Sequence, residues 1–260
     1  MSNCYSNIIN NINFSFFIED EIFEKNPLFF DYFFKKWIKK DVIEIVNDMV
    51  VIGKNKRKRN KRNYIYISVN DKKWMFFLIN DIEKFIINRL GCYVLHGASL
   101  IYKNNVICLL GPRKSGKTTV VYNLTKNDEY VLIDDDCVIL NNKAVVGLDF
   151  PIRLRNGLSD AFEIIDDDKK TRFLYFAKNT QKNCTYEKVF LFIQYNDSEN
   201  SITKMSNKDF FDNLLKNSRY STNNSDKFSQ IINITKSQDA YYIMFTSFDN
   251  FLVLLKELNL

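Results

Sequence analysis

The sequence predicts a mixed α/β protein: a phosphate-loop core preceded by a small, mainly antiparallel β region. Three observations carry this expectation. Gly111-Pro-Arg-Lys-Ser-Gly-Lys-Thr118 matches the G-x-x-x-x-G-K-[ST] pattern in full. It lies between an apolar strand-like run, Val106–Leu110, and a helix start, Thr118–Leu124. Upstream, short β-branched and aromatic runs alternate with Asn, Asp and Gly, the punctuation of a small sheet.

The N-terminal region is read as residues 1–79 and the core as 80–260. Within the first, Val42–Val46, Met49–Ile52, Tyr64–Val69 and Trp74–Ile79 read as strands, while Leu28–Phe34 fits a helix or a strand. Asp81–Leu90 has helical spacing, with Ile82, Phe85, Ile86 and Leu90 on one stripe and Gly91 as a stop. Strands follow at Tyr93–Leu95, Ser99–Tyr102 and Val106–Leu110, then the loop and its helix to about Asn127. Tyr130–Ile133 is a buried strand ending in three acids, and Cys137–Leu140 with Ala144–Val146 forms a hairpin. Beyond these, Lys188–Tyr195 and Tyr241–Phe245 read as strands, and Ser206–Leu215, Ser225–Ile234 and Phe248–Leu258 as helices. Ser206-Asn-Lys-Asp209 resembles a capping box, and Ser218–Asp226 is a loop candidate.

Composition excludes several classes. The chain has 260 residues, of which 46% are apolar, enough for a substantial core. Its formal charge of +6 comes from one run, Lys54–Arg62, which carries seven basic residues; the rest is close to neutral, unlike a globally basic nucleic-acid binder. That run reads as a hairpin loop, solvated or docking an acidic partner. Tyr64 and Tyr66 flank it without interleaving, which argues against nucleic acid as a partner. The five cysteines are odd in number and lack C-x-x-C spacing, which suits a reducing cytosol; Cys108 and Cys137 fall in apolar runs and read as buried thiols. No signal-peptide pattern and no bilayer-length apolar stretch occur, so the expectation is a soluble, cytoplasmic protein without membrane contact.

The loop implies a nucleotide triphosphate with Mg²⁺. Gly111, Pro112, Arg113, Lys114, Ser115, Gly116, Lys117, Thr118 and Thr119 are the candidate phosphate contacts. Lys117 suits the β/γ-phosphates and Thr118 the metal, beside the positive end of a helix dipole. Three features lie close by in sequence. His96, the one histidine, stands in Leu95-His-Gly-Ala-Ser99. Asp134-Asp135-Asp136 closes the first strand after the loop's helix. Pro151-Ile-Arg-Leu-Arg155 puts Arg153 and Arg155 on one strand face. Strand-end carboxylates beside a phosphate loop suit phosphoryl transfer, one holding Mg²⁺ and one accepting a hydroxyl proton. The histidine could orient a carboxylate, and the arginines could clamp a phosphate or an acidic substrate. Each also has a structural reading: a core histidine, a solvated acidic turn, surface cations. Asp166–Lys170 reads as a solvated loop or helix end.

Together, His96-Gly97, Gly111–Thr118 and Leu132-Ile-Asp-Asp-Asp136 resemble the catalytic domain of bacterial HPr kinase/phosphorylase and its shorter relatives. The resemblance spans about residues 80–155 and lies in motif order and in the short gap from loop to acids. It implies a phosphoenolpyruvate-carboxykinase-like core and an ATP- and Mg²⁺-dependent serine kinase, with a peptide or protein acceptor such as a ribosomally made precursor peptide. It further implies Lys117 on the phosphates, Thr118 and Asp136 at the metal, Asp135 as catalytic acid/base and His96 paired with Asp135. Relatives assemble as oligomers, so an oligomer is implied as well. The residues alone leave open which of the three aspartates is the base. Two other readings stay open: a nucleotide-gated binding protein without transfer chemistry, and a simple NTPase.

Overall fold

The structure, a computed structural model, describes residues 4–24, 27–40, 48–53, 64–68, 74–141, 144–154, 162–165, 171–219 and 224–260. The expected strand Val42–Val46, the basic run 54–62, Arg155 and the acidic stretch Asp166–Lys170 lie outside them. In chain order the elements are β1 (Cys4–Ile9), β2 (Ile12–Ile18), α1 (Asp20–Phe23), α2 (Pro27–Phe33), β3 (Ile38–Lys40), β4 (Asp48–Gly53), β5 (Tyr64–Ser68) and α3 (Trp74–Leu90). Next come β6 (Tyr93–Tyr102), β7 (Asn105–Leu110), α4 (Lys117–Leu124), β8 (Tyr130–Asp134), β9 (Cys137–Asn141), β10 (Ala144–Val146), β11 (Ile152–Leu154), β12 (Phe162–Ile165) and β13 (Thr171–Tyr175). Last are β14 (Asn183–Cys184), β15 (Glu187–Tyr195), β16 (Ser201–Lys204), α5 (Asn207–Asn217), β17 (Ser218–Arg219), α6 (Asn224–Ser237), β18 (Asp239–Phe245) and α7 (Phe248–Glu257).

The chain divides into two compact units: residues 1–90 with 148–176, and residues 91–147 with 177–260. This differs from a continuous cut at 79/80, which falls inside α3. The physical reason is that the segment after residue 147 returns to the first unit. There Phe150 stacks on Phe33 with ring centroids 4.8 Å apart, and Asn7 donates to Asp149 at 3.3 Å.

The first unit holds a five-stranded sheet in the order β3-β1-β2-β4-β5 and a three-stranded antiparallel sheet, β11-β13-β12. The larger sheet is antiparallel on its β3-β1-β2 side, while β4 adds parallel to β2 and β5 parallel to β4. The strands on either side of the basic run therefore do not form a hairpin. The actual hairpin is β1–β2, closed by Asn10 and Asn11 with φ of 49° and 64°. Two left-handed residues match the strand twist, and Asn tolerates them. Trp74–Ile79 is the first third of a 17-residue helix, not a strand. Its apolar run has no alternation and continues directly into the stripe of residues 82–90, so length decides for helix. The expected run Leu28–Phe34 is helical as far as Phe33, in a helix opened by Pro27, whose fixed φ suits the first turn. Phe34, just past the end of that helix, packs its ring with Tyr5, Phe16 and Trp37, which accounts for the aromatic richness of this region.

In the second unit, β7, β15 and β18 run parallel, with β6 antiparallel to β7 and β16 antiparallel to β18. The two runs expected at 93–95 and 99–102 form one ten-residue strand, β6. Tyr93, Leu95, Cys108, Leu110, Phe190 and Phe192 share one buried cluster with Phe210 and Leu214 of α5 and Ile231 of α6. Strand alternation sends the intervening residues to the opposite sheet face. On that face Phe245 of β18 meets Phe251 of α7 at 5.1 Å. Ser206 caps α5, accepting from the Asp209 N–H at 3.1 Å. All five cysteines are free thiols, with Cys108 and Cys137 buried. Burial pushes the Cys108 thiol up to about 12. Among the described residues no helix is long and apolar enough to cross a membrane.

One carboxylate ties the first unit's stability to pH. Burial pushes the Asp31 carboxyl up, but hydrogen bonds from Tyr5 at 2.5 Å and Lys39 at 2.9 Å outweigh it and hold the group below its usual range. A depressed folded value means the contribution is complete above about pH 4 and drains away as pH falls through the lower folded value. Asp31→Asn should flatten the acid limb of the urea midpoint against pH and leave the midpoint's slope near neutrality unchanged.

Candidate functional site

The phosphate-loop segment sits at the carboxyl end of the parallel strands, where open α/β sheets hold their ligands. It follows β7 and runs into α4, whose N-cap, Gly116, has φ of +94° and offers no side-chain cap. Gly111 and Lys114 also have positive φ, at 147° and 68°. A Cβ on Gly111 would lie 2.5 Å from the Ile193 carbonyl oxygen, and one on Gly116 would lie 3.1 Å from the Phe245 ring. Gly111 thus needs glycine for conformation and for space, and Gly116 for conformation. Successive residues of this kind turn their N–H groups into one concavity.

Lys117 is 8% exposed, and its ammonium lies within the curve of its own loop. It donates to the carbonyls of Gly111 at 2.8 Å and Pro112 at 2.9 Å, and to Ser115 Oγ at 3.5 Å. Arg113 and Lys114 are exposed beside it, and the first turn of α4 holds no acid. Three cations at the positive end of a helix dipole repel both it and one another, and an anion relieves that repulsion. Thr118 is partly exposed and Thr119 exposed at the same helix start.

The acids reach this place through β6. On one edge, Gly97 pairs with Leu110, the residue before the loop. On the other edge, Ser99 pairs with Asp134 at the end of β8, and His96 pairs with Cys137 at the start of β9. The loop and the acidic turn therefore flank residues 96–99 of one strand, about 10 Å apart by two strand spacings. Gly97 permits this closeness: a Cβ there would lie 2.4 Å from both the Leu109 carbonyl oxygen and Leu110 Cδ2. Since Leu95 faces the α5–α6 cluster, His96 projects to the other face, the one on which α4 begins.

His96 meets Asp136, not Asp135: Nδ1 lies 3.2 Å from Oδ1 of Asp136. The expected pairing is corrected by one residue because the turn spends Asp134 on β8, where it is buried, and bends at Asp136, whose φ is +75°. Asp tolerates that left-handed conformation. The second carboxylate oxygen of Asp136 accepts from Arg219 at 3.1 Å, and Arg219 also donates to the Asp136 carbonyl at 3.3 Å. The sequence around Arg219 is an Asn- and Ser-rich loop candidate that carries no mark of this role. It is placed by β17, which adds to β6 with Ser218 opposite Leu95 and Arg219 opposite Val94. Tyr93 secures that addition by hydrogen bonds to Ser218 and to the Leu214 carbonyl. No local signal announces a two-residue strand.

Arg153 belongs to the first unit. Its guanidinium pairs with Glu83 at 3.1 Å and donates to Asn80 at 3.2 Å, both on α3. The Glu83 side chain is 4% exposed, so this pair has a structural occupation. Among the described residues, no group of three or more His, Cys, Asp or Glu could hold a metal by itself.

No protein-family model matches the chain, and no curated protein matches it. Among solved structures, the HPr(Ser) kinase/phosphatase from Coxiella burnetii aligns with it at 11% sequence identity and a TM-score of 0.30, over 64% of this chain and 97% of that one. A likeness at that score carries no functional weight.

Two substitutions test the local geometry. Gly97→Ala should lower the unfolding free energy by about 1–3 kcal/mol through overpacking against a backbone carbonyl, measured by urea titration. Arg153→Ala should cost about 3–5 kcal/mol by leaving buried Glu83 without its guanidinium, measured the same way. A loss under about 1 kcal/mol would mean that the ion pair has no such role.

Proposed function

We propose that the second unit is an ATP- and Mg²⁺-dependent kinase that transfers the γ-phosphate to a serine hydroxyl of a peptide or protein. The observation that carries the reading is the convergence of the Gly111–Thr118 loop and the His96–Asp136–Arg219 cluster on residues 96–99 of β6. The loop supplies concave N–H groups and Lys117 for a triphosphate. The turn supplies carboxylates two strands away. The acceptor class and the adenine nucleotide come from the family resemblance of the motifs.

In this reading the two partly exposed aspartates divide the work. Both oxygens of Asp136 are engaged, one by His96 and one by Arg219. A carboxylate so engaged has its oxygens fixed in direction, which suits it to the metal side of the site rather than to taking a proton. Asp135, at the apex of the turn, is assigned the base. The acceptor oxygen bonds to the γ-phosphorus, the bond to the β,γ-bridging oxygen breaks, ADP leaves, and the hydroxyl proton passes to Asp135. Mg²⁺ fits as an ion that arrives with the nucleotide. Such an ion takes one or two carboxylates plus phosphate oxygens, and Thr118 and Asp136 are the side chains that would meet it. Bound there, it would neutralise developing phosphate charge.

The test is transfer of labelled γ-phosphate from ATP to candidate serine peptides in the presence of Mg²⁺, read by mass spectrometry of the acceptor. Lys117→Ala should abolish labelling. Asp135→Asn should lower the rate by about 10²–10⁴, the usual worth of a positioned general base. Asp136→Asn should raise the Mg²⁺ concentration needed for half-maximal rate. Labelling that survives Asp135→Asn undiminished would reject the assignment of the base. Phosphate release that never labels an acceptor would favour a simple NTPase.

A further inference from the structure

The loop accounts for the phosphates of a nucleotide and leaves its base without a place. We infer that Tyr195 is the platform on which the base stacks, an inference that rests on the nucleotide reading above. Tyr195 closes β15 and is 45% exposed, although the centre of that strand, Phe190–Ile193, is buried. Phe190 and Phe192 point to the α5–α6 cluster, so alternation puts Tyr195 on the opposite face, where α4 begins. Its Cβ lies 3.7 Å from the position of a Cβ on Gly116, the residue that opens α4. The exposed ring thus borders the loop.

The ring's base is held firmly. The Tyr195 N–H donates to the Ser115 carbonyl at 3.1 Å, which ties the strand end to the loop. Tyr195 pairs with Phe245 across to β18, and the next N–H, of Asn196, donates to the Phe245 carbonyl at 3.0 Å. The Tyr195 ring meets the buried Phe245 ring edge-on, with centroids 5.9 Å apart and planes at 75°. After it, Asn196 Oδ1 accepts from the N–H groups of Ser198 and Glu199, both at 2.8 Å, and fixes the following turn. A partly exposed aromatic side chain on a rigid backbone, beside a phosphate site, is the arrangement that binds a π-face at little entropic cost. Stacking accepts any base face, so the platform contributes affinity for the nucleoside part rather than a choice among bases.

The experiment compares Mg·ATP with Mg·tripolyphosphate by calorimetry on the full chain. In the unaltered protein both should bind, ATP more tightly. Tyr195→Ala should weaken ATP about tenfold, the usual effect of removing one stacked ring, and leave tripolyphosphate unchanged. Tyr195→Phe should keep ATP binding within about twofold, because the ring remains. The main-chain link to Ser115 is present in every variant, so the loop stays anchored. Equal ATP affinity in Tyr195→Ala, or equal weakening of both ligands, would overturn the platform while leaving the phosphate site standing. Failure of the unaltered protein to bind either ligand would instead overturn the nucleotide reading and the platform with it.

Discussion

The pairing of β6 on both of its edges is the constraint on which the rest of the second unit depends. One ten-residue strand carries β7 and β17 along one edge and β8 and β9 along the other. Each neighbour delivers something to the same level of the sheet: β7 the loop, β8 and β9 the acidic turn, β17 an arginine. Backbone hydrogen bonds, not side-chain contacts, set these positions. Gly97 stands at the centre of the arrangement and has no room for even a methyl group. Side chains then refine what the ladder has placed, with His96 and Arg219 each taking one oxygen of Asp136.

Two kinds of electrostatic arrangement coexist in the chain and do different work. The pair Arg153–Glu83 is closed, its carboxylate buried and its guanidinium shared with Asn80, which is what a structural ion pair requires. The phosphate loop is open in the opposite sense. It gathers Arg113, Lys114 and Lys117 at a helix start that holds no acid, with the Lys117 ammonium resting on carbonyls of its own loop. Phosphate oxygens are stronger acceptors for an ammonium than neutral carbonyls are, so an anion can draw Lys117 from that position. This contrast separates the arginine that stabilises the first unit from the lysine proposed to bind phosphate.

The parts of the fold set by short spans of chain were legible in the sequence. The strand and helix on either side of Gly111–Gly116, the capped α5 and the apolar runs of β15 and β18 carry their patterns within a few residues, and the structure places those elements where the patterns lie. The parts set by distant pairing were not. Arg219 is positioned by partners 125 residues earlier, at Val94, and nothing near it in sequence marks that contact. The partner of His96 turned on a left-handed Asp136, a conformational choice the triple aspartate conceals. The first helix turns of α3 are written in residues that favour a strand as readily, and only their continuity with the following stripe decides. The division into units was illegible for a related reason, since residues 148–176 rejoin the first unit through contacts with α2 and α3.

In the proposed kinase the loop and the acidic turn form one site across β6. A double-mutant cycle on Mg·ATP affinity, with Thr118→Ala and Asp136→Asn singly and together, measures that directly. If both residues act on the same ion, their effects must couple, and the combined loss should fall short of the sum by at least about 0.5 kcal/mol, the level at which interacting sites depart from additivity. Strict additivity would show two independent patches that share only a strand, and would contradict the account.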